Sequence, residues 1–450
     1  MTTLMQASKL NDDESRILSH LNKKAREVEK PDTLNDAYYE ATNRLEQIGI
    51  AVPPELRRFV TQVAWPQTVV DEVERRLDVK ALMLPGEDKA SEKLTERWED
   101  NNLESESPIL HKETMIFGRG FVSVGTNPED AKKPFIRIEP SQQMVAAVDT
   151  AQRSMVGALR SFKDWDGARN RTLFLPGSTI HLRASRNGWE VTNRDDHGLG
   201  RVPLVMFLNR RRAGTWMGRS EMAASIPLTD ACARALTNLQ LAQEGLAVPT
   251  RYLFGADKDK MVDPKTGQPV PVWEAYYTSL MVHSDPKLTA GQFDAANLEN
   301  FTKVVDKYGS LVASISGLPV RYFTDSTVNP AAEGAIRADE SRLVKNVERK
   351  QTDWGDGWGW VMGLSERFAT GEWPDGNKIR TEWHDAGTPT VAQKADAVTK
   401  LAGGKAILSV QGAQDELGWS EAKKKRERAY RQEELRLEWN ALEPDIDGEE

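Results

Sequence analysis

Two short clusters bring carboxylates and imidazole together in this chain: Asp195-Asp196-His197 and His384-Asp385. The first has the ligand types for a divalent metal. Its setting reads as a hairpin tip, where a solvated turn is the simpler role. The second has the makings of a general base, but no nucleophile accompanies it. Leu401-Ala402-Gly403-Gly404-Lys405-Ala406 comes nearest to a phosphate-binding loop. It lacks the first glycine at the required spacing, and Ala follows the Lys where Ser or Thr should hold magnesium. Gly118-Arg119-Gly120 is too short for a dinucleotide fingerprint, and no HExxH, CxxC pair or GxSxG occurs. No catalytic centre, metal site or cofactor site emerges, so an enzyme is not expected.

Basic runs are the other source of chemistry. Arg210, Arg211 and Arg212 follow Asn209 and can meet phosphates or acids of a neighbouring subunit; a solvated loop serves equally well. Lys423-Lys424-Lys425-Arg426 lies among glutamates, the pattern of a salt-bridged helix face. The net charge of −8 over 450 residues argues against an open basic surface for nucleic acid. A single cysteine, Cys232, excludes an internal disulfide framework and falls on an apolar helix face, where it is a core residue. No signal peptide is expected at the N-terminus, and the longest apolar run, 202–208, is far short of a membrane span. Thirteen tryptophans are unusual, and Trp354, Trp358 and Trp360 cluster in one segment without interleaved cations. They read as core or subunit-interface anchors rather than a base-stacking platform.

The elements that must position these residues are mostly helical, in an α+β chain. Residues 11–84 and 87–117 read as helical stretches. From Phe121 the pattern changes to short strands, 121–125, 135–139, 155–162, 172–175, 179–184 and 189–193, divided by Gly, Pro and Asn turns. Helix returns near Ser220, with Leu228, Cys232, Ala235, Leu239, Ala242 and Leu246 at steps of three and four. A second such stripe comprises Leu298, Phe301, Val305, Tyr308, Val312 and Ile315. Gly317-Leu318-Pro319 ends it, a polar loop follows, and a charged helix begins near Glu333 and runs to about Gln351. Residues 421–440 carry seven Lys or Arg and five Glu, and the tail from Glu443 adds five acids, which predicts disorder there.

Several of these stretches, in order, resemble the SPP1-type portal family of tailed double-stranded DNA phages. They are a helix running into Gly118-Arg119-Gly120-Phe121-Val122-Ser123-Val124, then Ile138-Glu139-Pro140 with Val148-Asp149 and Ala158-Leu159-Arg160. Next come the 201–209 segment with Gly218-Arg219-Ser220-Glu221, and finally Gly317-Leu318-Pro319 with Asn329-Pro330-Ala331-Ala332-Glu333. The resemblance implies a portal fold. Residues 1–222 would be a wing of helices and mixed sheet, 223–249 and 291–317 two stem helices, and 250–290 a clip. A tunnel loop would span 318–332, a wing helix and return segment 333–388, a helical crown 389–442 and an acidic tail 443–450.

It also implies a ring, usually a dodecamer, at one capsid vertex of the virion, assembled in the host cytoplasm. The ring would conduct double-stranded DNA during packaging and ejection. Its implied partners are the terminase large subunit, a head-tail adaptor, and the major capsid and scaffold proteins, with no membrane. Twelve such chains would together carry roughly −96, a wall along which DNA slides. The DNA-facing candidates are Asp325, Ser326, Thr327 and Asn329 of the loop, with Lys303 and Lys307 on the stem; a solvated or salt-bridged face is the alternative for the lysines. Two other classes stay open at this point: a DNA-processing enzyme with an unrecognised metal site, and a protein-only head scaffold or adaptor.

Overall fold

The computed structural model describes residues 9–43, 61–87, 89–186, 188–246, 251–254, 289–292, 299–324, 333–374, 379–387, 391–402, 407–419 and 421–442. The chain divides into two units, 1–386 and 387–450.

In the first unit, helix α1 (Asp12–Tyr39) starts at a capping box. The Asn11 side chain accepts from Glu14 N–H at 2.8 Å, and Glu14 accepts in return from Asn11 N–H at 2.9 Å. Leu18 and Leu21 of its buried face lie on a five-stranded antiparallel sheet in the order β4 (Met144–Asp149), β5 (Ser154–Lys163), β6 (Arg169–Phe174), β7 (Thr179–Ser185) and β8 (Gly188–Asp195). Inward residues Val145, Leu159, Leu173, Ile180 and Val191 complete that core, following the period of two that an antiparallel sheet covered on one face demands.

The larger core surrounds a three-stranded sheet with β2 (Arg119–Gly125) between β3 (Phe135–Glu139) and β9 (Leu204–Leu208). Helices α2 (Trp65–Glu74), α3 (Glu92–Asp100) and α4 (Leu103–Phe117) contribute to it. Two further helices, α5 (Ile226–Leu246) and α6 (Glu299–Ser316), pack together, and the antiparallel pair β10 (Arg251–Phe254) and β11 (Thr289–Gln292) lies between them in sequence. Helix α7 (Glu333–Thr370) is 38 residues long, about 57 Å at 1.5 Å per residue.

The length of α7 exceeds the reading to about Gln351, and its glycines explain why. Added Cβ atoms would lie 2.6 Å from the Phe207 ring at Gly357 and 2.3 Å from the Ile379 carbonyl at Gly359. These residues let the helix press onto β9 and the following chain, so packing overrides their poor helix propensity. Between them Trp354 and Trp358 are fully buried, as expected for core anchors.

Residues 11–84 are not helical throughout. β1 (Val79–Met83) pairs antiparallel with β12 (Arg380–Trp383), a partner about 300 residues away that local pattern cannot reveal. β4 and β9 are also strands beyond those expected. Asp195-Asp196-His197 is not a hairpin tip: Asp195 closes β8 opposite Thr179, and the half-buried His197 ring stands edge-on to Phe368 at 6.4 Å. Cys232 is buried, and burial pushes its thiol up to about 11.

The second unit contains α8 (Val391–Ala402), α9 (Val410–Glu416) and α10 (Glu421–Leu442), with Lys423 over the Trp419 ring at 4.4 Å. The acidic tail expected at 443–450 lies outside the described residues. Among the described residues no helix is long and apolar enough to cross a membrane.

Candidate functional site

Two glycine-arginine motifs a hundred residues apart in sequence meet in space. Gly118 ends α4 at φ +79°, and Gly218 lies so close that a Cβ on it would sit 1.7 Å from the Gly118 carbonyl oxygen. Asn209 N–H donates to that same carbonyl at 2.9 Å, and Arg219 N–H donates to Asn209 O at 2.9 Å. This backbone knot fixes Glu221, which opens the short 3-10 turn Glu221–Ala224 leading into α5.

Glu221 is buried and gathers donors from three directions. Arg210 grips both carboxylate oxygens at 2.9 and 2.8 Å, Lys350 of α7 approaches at 2.9 Å, and Asn209 Nδ2 donates at 2.9 Å. Lys350 Nζ also donates to Asn209 Oδ1, and Asn346 Nδ2 donates to Glu221 at 3.2 Å. Burial alone would raise the Glu221 carboxyl, but Lys350 and Arg210 outweigh it and hold the group at about 2. The cluster ties the root of α5 to the middle of α7, and removing one member of such a buried pair costs about 3–5 kcal/mol.

The remaining arginines of the basic run behave differently. Arg211 lies 3.9 Å over the Trp216 ring, and Arg212 is exposed, its carbonyl accepting from Thr215. Of the three, Arg210 is therefore committed to a partner carboxylate within its own chain.

The helical pair carries the other candidates. On α6, Val312 is buried and Phe301, Val305 and Tyr308 are half-buried, as the apolar stripe requires. Ile315, the last stripe member described, is instead 47% exposed, together with Val304 and Leu311. Lys303 and Lys307, four residues apart on α6, are both exposed. Gly317 takes φ +76°, the left-handed cap expected there.

The chain beyond it is not immediately a loop. Leu318 and Phe323 are buried, Phe323 meets Trp65 edge-on at 6.2 Å, and Val320–Tyr322 form a 3-10 turn. Arg321 joins Asp339 at 2.6 Å and also Glu340, which Arg76 reaches at 3.2 Å. The first seven residues of the stretch read as polar loop are thus a packed turn against α7, because Leu318 and Phe323 supply an apolar anchor. Asp325, Ser326, Thr327 and Asn329 lie outside the described residues.

A second buried centre holds α7 further along. His111 of α4 stacks on Trp354 with ring centroids 5.2 Å apart and accepts at Nε2 from Trp358 Nε1–H at 3.0 Å. Trp383 stands 5.5 Å from the same ring. Burial pulls the imidazole down to about 3, so it is neutral at physiological pH. His384 does not join a catalytic group: its backbone N–H donates to Asp78 O, and its carbonyl accepts from Gln351. Among the described residues, no three His, Cys, Asp or Glu side chains are grouped to hold a metal ion. The buried Glu221 cluster, joining residues 129 apart, was invisible in the sequence beyond the presence of its glycines and arginines.

Comparison with known proteins matches this arrangement. The sequence model of the family described as phage portal protein, SPP1 Gp6-like, covers residues 17–436. The portal proteins of Mycobacterium phages D29 and L5 are each 35% identical over 428 residues, spanning 92% of this chain and 88% of each relative. Among solved structures, a chain of the virion of the native gene transfer agent particle superposes with a TM-score of 0.50 at 13% identity. That match covers 86% of this chain and 93% of the other, and it bears on the fold alone. The chain belongs to the SPP1 Gp6-like family of phage portal proteins.

Proposed function

We propose that this portal-family chain forms a ring, a dodecamer, at one vertex of the phage head and serves as the conduit for double-stranded DNA. The carrying observation is the helical pair α5 and α6 rooted in the Glu221 cluster, set within a chain matched to the portal family along most of its length. α5 spans 21 residues, about 31 Å, a length suited to lining a channel wall. The exposed Val304, Leu311 and Ile315 make a stripe at helical spacing that a neighbouring copy would cover.

On this reading 223–249 and 291–317 are the stem and 250–290 the clip that meets the terminase and later the head-tail adaptor. Residues 1–222 and 333–388 are the wing, towards the major capsid and scaffold proteins, and 389–442 are the crown. Lys303 and Lys307 face the channel or a neighbouring stem, and Asp325, Ser326, Thr327 and Asn329 touch the passing DNA. The ring assembles in the host cytoplasm and performs no chemistry of its own. Its net negative charge favours sliding over a phosphate clamp, whose affinity would obstruct translocation.

Heads assembled without this chain are expected to hold no DNA; DNA-filled heads would overturn the reading. Deleting 325–330, which spares the packed turn through Thr324, should leave rings intact while DNA packaging or retention fails. Normal packaging by that variant would refute the DNA-facing role of the loop.

A further inference from the structure

One tryptophan stands apart from the buried ones. Trp165 is 94% exposed at the tip of the β5–β6 hairpin. The tip is built to hold it out. Asp164 N–H donates to Ala168 O at 2.8 Å, and Gly167 N–H donates to Asp164 O at 2.9 Å. Trp165 N–H donates to the Asp164 side chain and Ala168 N–H to that of Asp166, both at 2.9 Å, while Arg183 secures Asp166 at 2.6 Å. A pre-organised indole offered to water at such exposure is the pattern of an anchor for a protein contact, since Trp is the residue type most enriched at interface hot spots.

The same unit holds a cavity of about 390 Å³ between α1, the edge strand β4 and the 216–219 segment. Phe117, Phe121 and Met206 supply apolar walls, Arg119 lies at its floor paired with Asp32 at 2.6 Å, and Lys24 and Arg219 stand among its lining residues. Aromatic and thioether walls over a guanidinium suit an indole, which gains from stacking on the cation and from contact with sulfur. The lining cations Lys24 and Arg219 complement Asp164 and Asp166, which flank Trp165.

The indole cannot enter the cavity of its own chain. Val145 at the cavity is paired with Leu159, and Trp165 lies six residues farther along the same rigid hairpin, roughly 20 Å away at about 3.4 Å per residue. Two different patches that fit each other but cannot meet within one chain make a heterologous contact, which closes into a ring or runs on as a filament.

We propose that Trp165 of one copy inserts into the Phe117–Phe121–Met206 cavity of the next, making the wing-to-wing contact of the ring. This contact rests on the ring reading above. Sedimentation of the purified chain tests it. Trp165→Ala, at a fully exposed site, is expected to fold normally and to lower the ring fraction at least tenfold at equal concentration, with Trp165→Phe intermediate. The double variant Trp165→Cys/Met217→Cys should give an intersubunit disulfide ladder under mild oxidation that neither single variant gives; the native Cys232 is buried. Rings at wild-type yield from Trp165→Ala, or no ladder from the double variant while rings form, would overturn the contact and point to another protein as the partner of Trp165. A wild-type chain that stays monomeric would overturn the ring reading and the contact with it.

Discussion

Helix α7 is held to the rest of its unit by two buried centres that work on opposite principles. At Lys350 the grip is ionic: a carboxylate, an ammonium, a guanidinium and two amides satisfy one another away from water. A turn later, at Trp354 and Trp358, the grip is aromatic, with one neutral imidazole as the only titratable group the rings touch. The charged centre looks like the acid-sensitive one, but the shifts say the reverse. Glu221 keeps its proton off down to about 2, whereas His111 resists protonation down to about 3 although free imidazole takes a proton near 6.5. A buried neutral base is thus the more fragile device in mild acid.

The largest expected effect follows from His111. Between pH 6.5 and about 3 the unfolded chain binds a proton there that the fold refuses, so stability falls as pH drops through that window. The full loss is roughly 5 kcal/mol at about 1.4 kcal/mol per pH unit. Melting temperature against pH should decline from pH 6.5 downward and flatten in His111→Gln; an unchanged slope would break the comparison. Glu221 has the opposite bookkeeping: its folded pKa is depressed, so its stabilisation is complete above about 4.5 and is lost only as pH falls towards 2.

Next in size, Trp358→Ala and Lys350→Ala should each cost about 3–5 kcal/mol in urea unfolding, the first by a cavity and the second by stranding Glu221. The two centres then part company. Replacing the ion pair as a whole, with Lys350→Met and Glu221→Leu together, should return to within about 1–2 kcal/mol of wild type, because both desolvated charges are gone. A double variant less stable than Lys350→Ala would show the ionic centre to be stabilising as a pair. Gly357→Ala should cost about 1–3 kcal/mol, since its methyl would meet the Phe207 ring at 2.6 Å. The smallest effect is Arg212→Ala, exposed and expected within about 0.5 kcal/mol by the same measurement.

Local pattern in the sequence carried the strands with alternating faces, and Phe135–Glu139 emerges with the expected bounds. It also carried the α6 stripe and its left-handed glycine cap, because both depend on neighbours within a turn or two. Whatever depends on distant partners stayed hidden. β9 reads only as an apolar run until β2, some 80 residues earlier, pairs with it. β1 reads as helix until β12 supplies its ladder. The tryptophans at 354 and 358 are legible as core, yet the glycines among them look like helix breakers until Phe207 and Ile379 press against them. At the candidate site the arginines were visible as a run, but not that Arg210 closes on Glu221 while Arg211 stacks on Trp216. The apolar anchor Phe323 shortens the polar loop, and no periodicity announces a single side chain folding back.

The central claim is that these helices assemble around a channel. Electron microscopy of the purified full chain tests it most directly: rings with a central hole, twelve copies around, are predicted. Monomers at every concentration, or solid particles without a channel, would contradict it.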